Sequence, residues 1–288
     1  MQTLRKLIAD AENRKVAVGH FNISDTEGLS AVFNAARKLN LPVIIGTSEG
    51  ERDFIGVTRA VALVKSLREE FDYPIFLNAD HTYSFDRVKE AIDAGYDSVI
   101  FDGTKLSLEE NISETKKCVD YARSARPEVV VEGEIGYIGT SSKILDEIPE
   151  GASISEETLT KPEEVATFVK ETGVDMLAPA VGNIHGMFAN APEPALDIAR
   201  IRAIRKAAGV PLVLHGGSGN TDADFLAAID AGVSIIHIST ELRLAWRKGL
   251  EKSLKEEPEE IAPYKLLADP VAEVKKIAVN RLKLFNKL

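Results

Sequence analysis

The sequence predicts a single-domain α/β protein, a (β/α)8 or TIM barrel, and three observations carry that prediction. Eight apolar, β-branched runs recur along the 288 residues. They are nearly continuous rather than alternating, as in strands of a parallel sheet buried on both faces. Most are followed by a helical stretch of mixed charge, several of which close on Gly or Asn (Asn40, Gly95, Gly173, Gly209, Gly232). All 5 histidines fall at or just after the C-terminal end of a run. If the strands close into a barrel, those ends share one rim and the imidazoles converge. An open, doubly wound sheet is the alternative architecture.

The elements follow in order. MQTLRKLIADAENRKVAV reads as an amphipathic helix, with no apolar core of a signal peptide. The first run, 16–22, ends in His20 and Asn22, and the helical TEGLSAVFNAARKLN follows. The second, 42–48, delivers Ser48 and then Glu49; the third, 75–81, delivers Asn78, Asp80 and His81. The fourth, 98–104, carries Asp102 and Thr104, and the fifth, 129–136, places Glu132 and Glu134 on one face by strand alternation. The sixth, 175–183, leads through Asn183 to His185; the seventh, 212–219, is LVLHGGSG with His215, Gly216 and Ser218. The eighth, 235–240, carries His237, Ser239 and Thr240. One loop, near 137–160, breaks the rhythm and reads as a mobile active-site lid. From about 249 the chain reads as C-terminal helices, with Val271, Val274, Ala278, Leu282 and Phe285 at helical spacing to pack on the barrel or a partner subunit.

Composition sets the outer limits. The chain is 44% hydrophobic and 28% charged with a formal net charge of −10, suited to a globular core and unsuited to nucleic acid or an anionic membrane. No apolar run approaches the roughly 18 residues of a membrane span. The single cysteine, Cys118, excludes an intramolecular disulfide framework and points to a reducing compartment, the cytoplasm. There is no Walker-type loop, no G-x-G-x-x-G after the first run and no G-x-S-x-G elbow. No lysine lies in the fifth, sixth or seventh run, which disfavours covalent imine chemistry.

The polar strand ends are where barrel enzymes keep their chemistry. His81, His185 and His215 could supply three neutral nitrogens to Zn²⁺, leaving a coordination position open as catalytic zinc sites do. Any one of them could equally be a hydrogen-bonded rim histidine; three on one rim beside Asp80 favour the metal. Glycines in HGGSG let backbone N–H groups approach a phosphate, although a tight β-to-α turn would want them too. Glu132 and Glu134 belong either to a fifth-strand salt-bridge network or to a carboxylate lining for a metal. His20 and Cys118 read as structural.

Together these segments resemble the class II, metal-dependent ketose-bisphosphate aldolases, the fructose- and tagatose-bisphosphate aldolase family. The likeness runs over nearly the whole chain, through HFNISDTEGLSAVFNAA, NADHTYSFDRVKEAIDAGYDSVIFDGT, VEGEIGYIG, VDMLAPAVGNIHGMF, PLVLHGGSG and STEL. The resemblance implies a zinc held by His81, His185 and His215, with Glu134 as an alternative ligand and Asp102 and Glu132 lining the site. It makes Asp80 the residue that exchanges a proton with the C4 hydroxyl. Gly186, Gly216, Ser218, Ser239 and Thr240 would grip the phosphate of dihydroxyacetone phosphate, with Na⁺ or K⁺ assisting, and Asn22, Ser48 and His237 would join the substrate-binding set. The implied substrate is fructose 1,6-bisphosphate, and the implied assembly a homodimer or homotetramer.

Two positions depart from the family's pattern. Its usual asparagine at the end of the eighth strand is His237 here. Its mobile-loop glutamate, the acid/base at C3, has no aligned acid in YIGTSSKILDEIPEG, where Asp146, Glu147 and Glu150 are the candidates. These departures keep two alternatives open: an aldolase for another phosphorylated ketose, such as tagatose bisphosphate or a sugar-acid phosphate, and a non-catalytic sugar-phosphate-binding paralogue.

Overall fold

The computed structural model describes residues 2–140 and 142–288. Among them ten strands occur: β1 (Val18–Asn22), β2 (Val43–Thr47), β3 (Ile75–Thr82), β4 (Ser98–Phe101), β5 (Val130–Ile135), β6 (Ile144–Leu145), β7 (Met176–Pro179), β8 (Met187–Phe188), β9 (Leu212–Leu214) and β10 (Val233–Ile238). Eight of them form a closed parallel barrel in the order β1-β10-β9-β7-β5-β4-β3-β2, which rules out the open doubly wound sheet. Each sequence run corresponds to one barrel strand. Except at β1 and β3, the strands stop short of the runs on the C-terminal side, because the tails of those runs leave the ladder to form the rim; His215, for example, lies just beyond β9.

The inward face follows period two and changes character with height. Val18, Ile44, Phe76, Val130, Met176, Val213 and Ile235 share one apolar cluster with Leu4, Leu7, Ile8 and Ala11 of the N-terminal helix Leu4–Arg14, which closes the bottom of the barrel. One step of alternation further along the same strands come His20, Asn78, Glu132, His215 and His237, all buried. The lower layer therefore carries the burial energy and the upper layer the chemistry.

The C-terminal helix Ala268–Phe285 buries Val274, Ala278, Leu282 and Phe285 against this chain's own barrel helices, so the expected helical stripe is met within the subunit. Residue 249 does not begin a C-terminal segment: Gly249 lies inside helix Thr240–Glu256, the helix that follows β10. A Cβ there would stand 2.7 Å from the backbone of Pro270, so glycine permits the close approach of these two helices. The loop after β5 is also more organised than expected. Its strand β6 pairs in parallel with β8, Ile144 against Met187 and Leu145 against Phe188, tying the loop to the segment that carries His185 and Gly186.

Candidate active site

The rim at the C-terminal strand ends opens into a cleft of about 550 Å³, lined by Gly186, Gly216, Ser218, Ser239 and Thr240 and by Ser48, Glu49, Asp80, His81 and Tyr83. In the barrel order β9 stands across from β3, whereas Ser48 and Glu49 follow β2, two places from β10.

Asp80 and His81 both face the cleft although they are consecutive, which a regular strand would forbid. The reason is a register shift between β3 and β4 over Ala79–Thr82, with His81 at φ +37°. A bulge of this kind re-aims side chains at the cost of local strain. Arg52, wholly buried, holds the bulge: its guanidinium donates to the carbonyls of Thr47 and Asp80 and to Thr82 Oγ1. Sequence reading missed Arg52, because in EGERDF it looks like one more solvated charge on a helix.

All five histidines converge, as their sequence positions required. Stacking runs from His20 to His237 (centroids 3.4 Å apart) and on to His215 (4.1 Å), and edge-on contacts continue to His81 (4.7 Å) and His185 (4.6 Å). His81, Glu134, His185 and His215 each aim a ligand atom at a common point, all within 4.8 Å of one another. His81 Nε2 and His215 Nδ1 are 3.0 Å apart, close to the roughly 3.3 Å that two nitrogens keep on one tetrahedral zinc. The other ring nitrogens are taken: His81 Nδ1 meets Asp102 Oδ2 at 3.0 Å, and His215 Nε2 meets Glu132 Oε1 at 2.7 Å. His185 Nε2 and Glu134 Oε2 are buried and lack a hydrogen-bond partner. Buried polar atoms without partners are costly, and a divalent cation among them removes that cost, so the residues fit the metal.

Electrostatics separate the roles. Burial works against ionising Asp80, but His81, His237 and His20 outweigh it and hold the carboxyl well below its ordinary value. Burial likewise opposes a charged His81, and Asp80, Glu134 and Asp102 reverse that, raising it well above 6.5. Desolvation dominates at His185 and His237, both lowered well below 6.5, and at Glu132 and Glu134, both raised. His185 thus presents a neutral imidazole, the form that binds metal.

The glycine-rich wall is built for close approach. Gly216 has φ +58°, and a Cβ there would meet the carbonyl of Ile184 at 2.4 Å. Ser218 Oγ accepts from the backbone N–H groups of Ser239 and Glu241, both at 3.3 Å, which pins this turn to the start of helix Thr240–Glu256. Ser239 Oγ is buried without a hydrogen-bond partner. Backbone N–H groups at a helix N-terminus and free hydroxyls are what an anion requires.

Not every expected residue lands as expected. Asn22 lines the cleft, but its amide donates to Asp80 Oδ2 (2.8 Å) and Glu51 Oε2 (3.0 Å), so it orders the two acids. Asp146, Glu147 and Glu150 are exposed, and none lines the cleft; from that loop Thr140 and Ser142 do. Glu51 and Arg243, unremarked in the sequence, also line it and pair with each other at 2.6 Å.

Fold and site define a (β/α)8 barrel whose rim cleft brings a histidine–glutamate cluster that could hold a metal ion together with a glycine-rich turn. The family model described as fructose-bisphosphate aldolase class-II matches residues 2–288, and the chain belongs to that family of aldehyde-lyases. The fructose-bisphosphate aldolase of Geobacillus stearothermophilus is 35% identical over 286 residues, 98% of this chain and 96% of the relative. The probable fructose-bisphosphate aldolase of Bacillus subtilis is 34% identical with the same coverage. Among solved structures, the YdjI aldolase of Escherichia coli K12 superposes with a TM-score of 0.81 at 30% identity, covering 99% of this chain and 97% of that one. A putative fructose-1,6-bisphosphate aldolase from Coccidioides immitis gives 0.81 at 26% identity, with 97% and 94% covered.

Proposed function

We propose that this protein reversibly cleaves a ketose 1,6-bisphosphate, fructose 1,6-bisphosphate in the first instance, to dihydroxyacetone phosphate and glyceraldehyde 3-phosphate. The observation that carries the reading is that Asp80, His81 and His185, the two histidines clustered with Glu134 and His215, line the same cleft as Gly216, Ser218, Ser239 and Thr240. One zinc per subunit would be held by His81, His185 and His215, with Glu134 as a fourth ligand when substrate is absent. Bound there, zinc supplies Lewis acidity to stabilise the charge left on the triose phosphate when C3–C4 breaks.

The chain's own residues do the rest. Asp80, kept ionised, takes the proton of the C4 hydroxyl and returns it to the aldehyde oxygen in the other direction. Gly186, Gly216, Ser218, Ser239 and Thr240 hold the C1 phosphate, and Na⁺ or K⁺ would assist them by offsetting its charge. Arg243 is the guanidinium among the described cleft residues and serves the distal phosphate, with Ser48 beside it. The loop 137–160 closes over the bound sugar. The same reading places the protein in the cytoplasm as a homodimer or homotetramer without nucleic-acid or membrane partners. The net charge of −10 supports the absence of nucleic-acid and anionic-membrane partners, and the lone buried Cys118 a reducing compartment; no described helix is long and apolar enough to cross a membrane.

A second reading, an aldolase for a ketose phosphate with a different distal end, is favoured by one feature: Glu49 and Glu51 line that end, and Glu51 already engages Arg243. Triose phosphate release from fructose 1,6-bisphosphate, measured before chelation, after it and after zinc is returned, tests the first reading. Activity lost and restored with the metal supports it. Absence of cleavage by zinc-loaded protein refutes it, and a screen of aldehydes with dihydroxyacetone phosphate then separates the second reading from a binding role.

A further inference from the structure

His237 has both ring faces covered, by His20 at 3.4 Å with the planes 3° apart and by His215 at 4.1 Å and 21°. The slab beneath it is itself fixed. The His20 ring meets the amide of Asn78 at 3.0 Å and lies against Gly46, where a Cβ would stand 2.0 Å from the imidazole. The His237 plane is therefore locked, and its edge has one direction to point. Its Nδ1 lies 3.3 Å from Asp80 Oδ1. That oxygen is buried and has no closer donor, while Oδ2 receives Asn22 and the main-chain carbonyl receives Arg52.

We propose that His237 is a positioning residue for Asp80: with Nδ1–H it fixes the unpaired carboxylate oxygen, so the other lone pairs face the substrate hydroxyl, and it acts through Asp80 rather than by gripping phosphate. A carboxylate with one oxygen tied can still swing about its Cβ–Cγ bond; a second donor on a locked ring stops it. The 3.3 Å separation is long for a hydrogen bond, as such contacts often are before substrate binds. The inference rests on Asp80 carrying the C4 proton.

Three substitutions separate the donor from the packing. His237→Phe keeps an aromatic slab and removes the donor. His237→Asn places its amide nitrogen where Nδ1 sits, and His237→Gln places it where Nε2 sits. With one zinc per chain retained, Phe and Gln should lower kcat about ten- to a hundredfold, the effect of one hydrogen bond to a charged acceptor. KM and the affinity for dihydroxyacetone phosphate should change less than about threefold, and Asn should recover most of kcat. In an Asp80→Asn background the Phe substitution should cost nothing further, because the partner it acts through is gone.

Wild-type kcat in the Phe variant would reduce His237 to packing and overturn the proposal. A raised KM with unchanged kcat would make it a substrate ligand, and an Asn variant no better than Gln would do equal damage. Should the Phe variant fail to fold, the Asn–Gln pair still decides. Failure of the aldolase reading itself looks different: wild-type protein carrying zinc would then cleave no ketose phosphate at all.

Discussion

His81 on β3 and Asp102, just beyond the adjacent β4, hold Nδ1 and Oδ2 3.0 Å apart, and the other Asp102 oxygen receives both the hydroxyl (2.7 Å) and the N–H (3.1 Å) of Thr104. The carboxylate is thus anchored behind and fixes His81 with Nε2 toward the metal point. Asp102→Ala should weaken zinc binding about 10–100-fold, since a partner behind a ligating histidine sets its tautomer and basicity. Zinc competition against a chromogenic chelator measures this; unchanged affinity would show that Glu134, 3.4 Å from the same nitrogen, suffices.

Asp80→Ala separates binding from proton transfer. Asp80 Oδ1 is 3.9 Å from His81 Nε2 and outside the four-residue cluster that could hold the metal. The variant should keep its zinc and lose cleavage by about 10²–10⁴-fold, the usual range for a positioned acid/base. Normal turnover by a folded, zinc-loaded Asp80→Ala protein would refute the assigned role.

The barrel and most of the rim were legible because each strand's apolar run ends in a polar residue, and a closed parallel sheet gathers such ends. What was illegible depended on register. Consecutive Asp80 and His81 reach one cleft through a bulge between β3 and β4, a relation between strands that one strand's pattern cannot reveal. Arg52 escaped notice for the same reason: its partners, Thr47, Asp80 and Thr82, lie on two other elements. The pairing of β6 with β8 joins residues more than forty positions apart through two-residue strands that carry no periodicity.

Arg52→Met tests whether the bulge needs its clamp. The substitution keeps much of the buried stem and leaves three acceptors unsatisfied, at about 1–3 kcal/mol each when buried. A loss of about 3 kcal/mol or more in urea-unfolding stability is expected, together with lower kcat because the Asp80 carbonyl is freed. Arg52→Lys should not restore either quantity, since a single ammonium cannot reproduce the planar fork that reaches all three oxygens. Equal stability of the Met variant would mean that the bulge holds itself.

Acid should destabilise the metal-free protein in a definable window. Burial, reinforced by His215 and His81 against the pull of Asp80, lowers His20 from 6.5 to about 4. Its unfolded form takes up a proton that the fold refuses, so this contribution is complete above pH 6.5 and disappears as the pH falls toward about 4. His81 and His215, both raised, titrate on the alkaline side of that window. Glu132 and Glu134, raised by burial, act in the opposite sense within it, so the informative quantity is the difference from a variant. Relative to wild type, His20→Gln should flatten the fall of unfolding free energy between these pH values by up to about 1.4 kcal/mol per pH unit, one proton's worth. Parallel curves would show that His20 titrates normally.

Aldol cleavage needs a second proton, delivered to C3 of the departing triose phosphate, and the cleft narrows the choice of donor. The loop acids Asp146, Glu147 and Glu150 are exposed and reach C3 only if the loop moves inward. Glu51 has both oxygens engaged, by Arg243 on one and by Asn22 and the Ser48 N–H on the other. Glu49 lines the cleft with one oxygen tied to the Tyr83 N–H at 2.9 Å, while the other accepts no hydrogen bond among the described residues. Exchange of the C3 proton of dihydroxyacetone phosphate with deuterated solvent reads this step alone, without an aldehyde. If Glu49 carries the proton, Glu49→Gln should slow exchange at least about 100-fold with zinc retained, while Asp146→Asn, Glu147→Gln and Glu150→Gln stay near wild type. The reverse pattern, with one loop variant silent and Glu49→Gln active, would assign the proton to a closing loop and make the β6–β8 pairing the contact from which it moves.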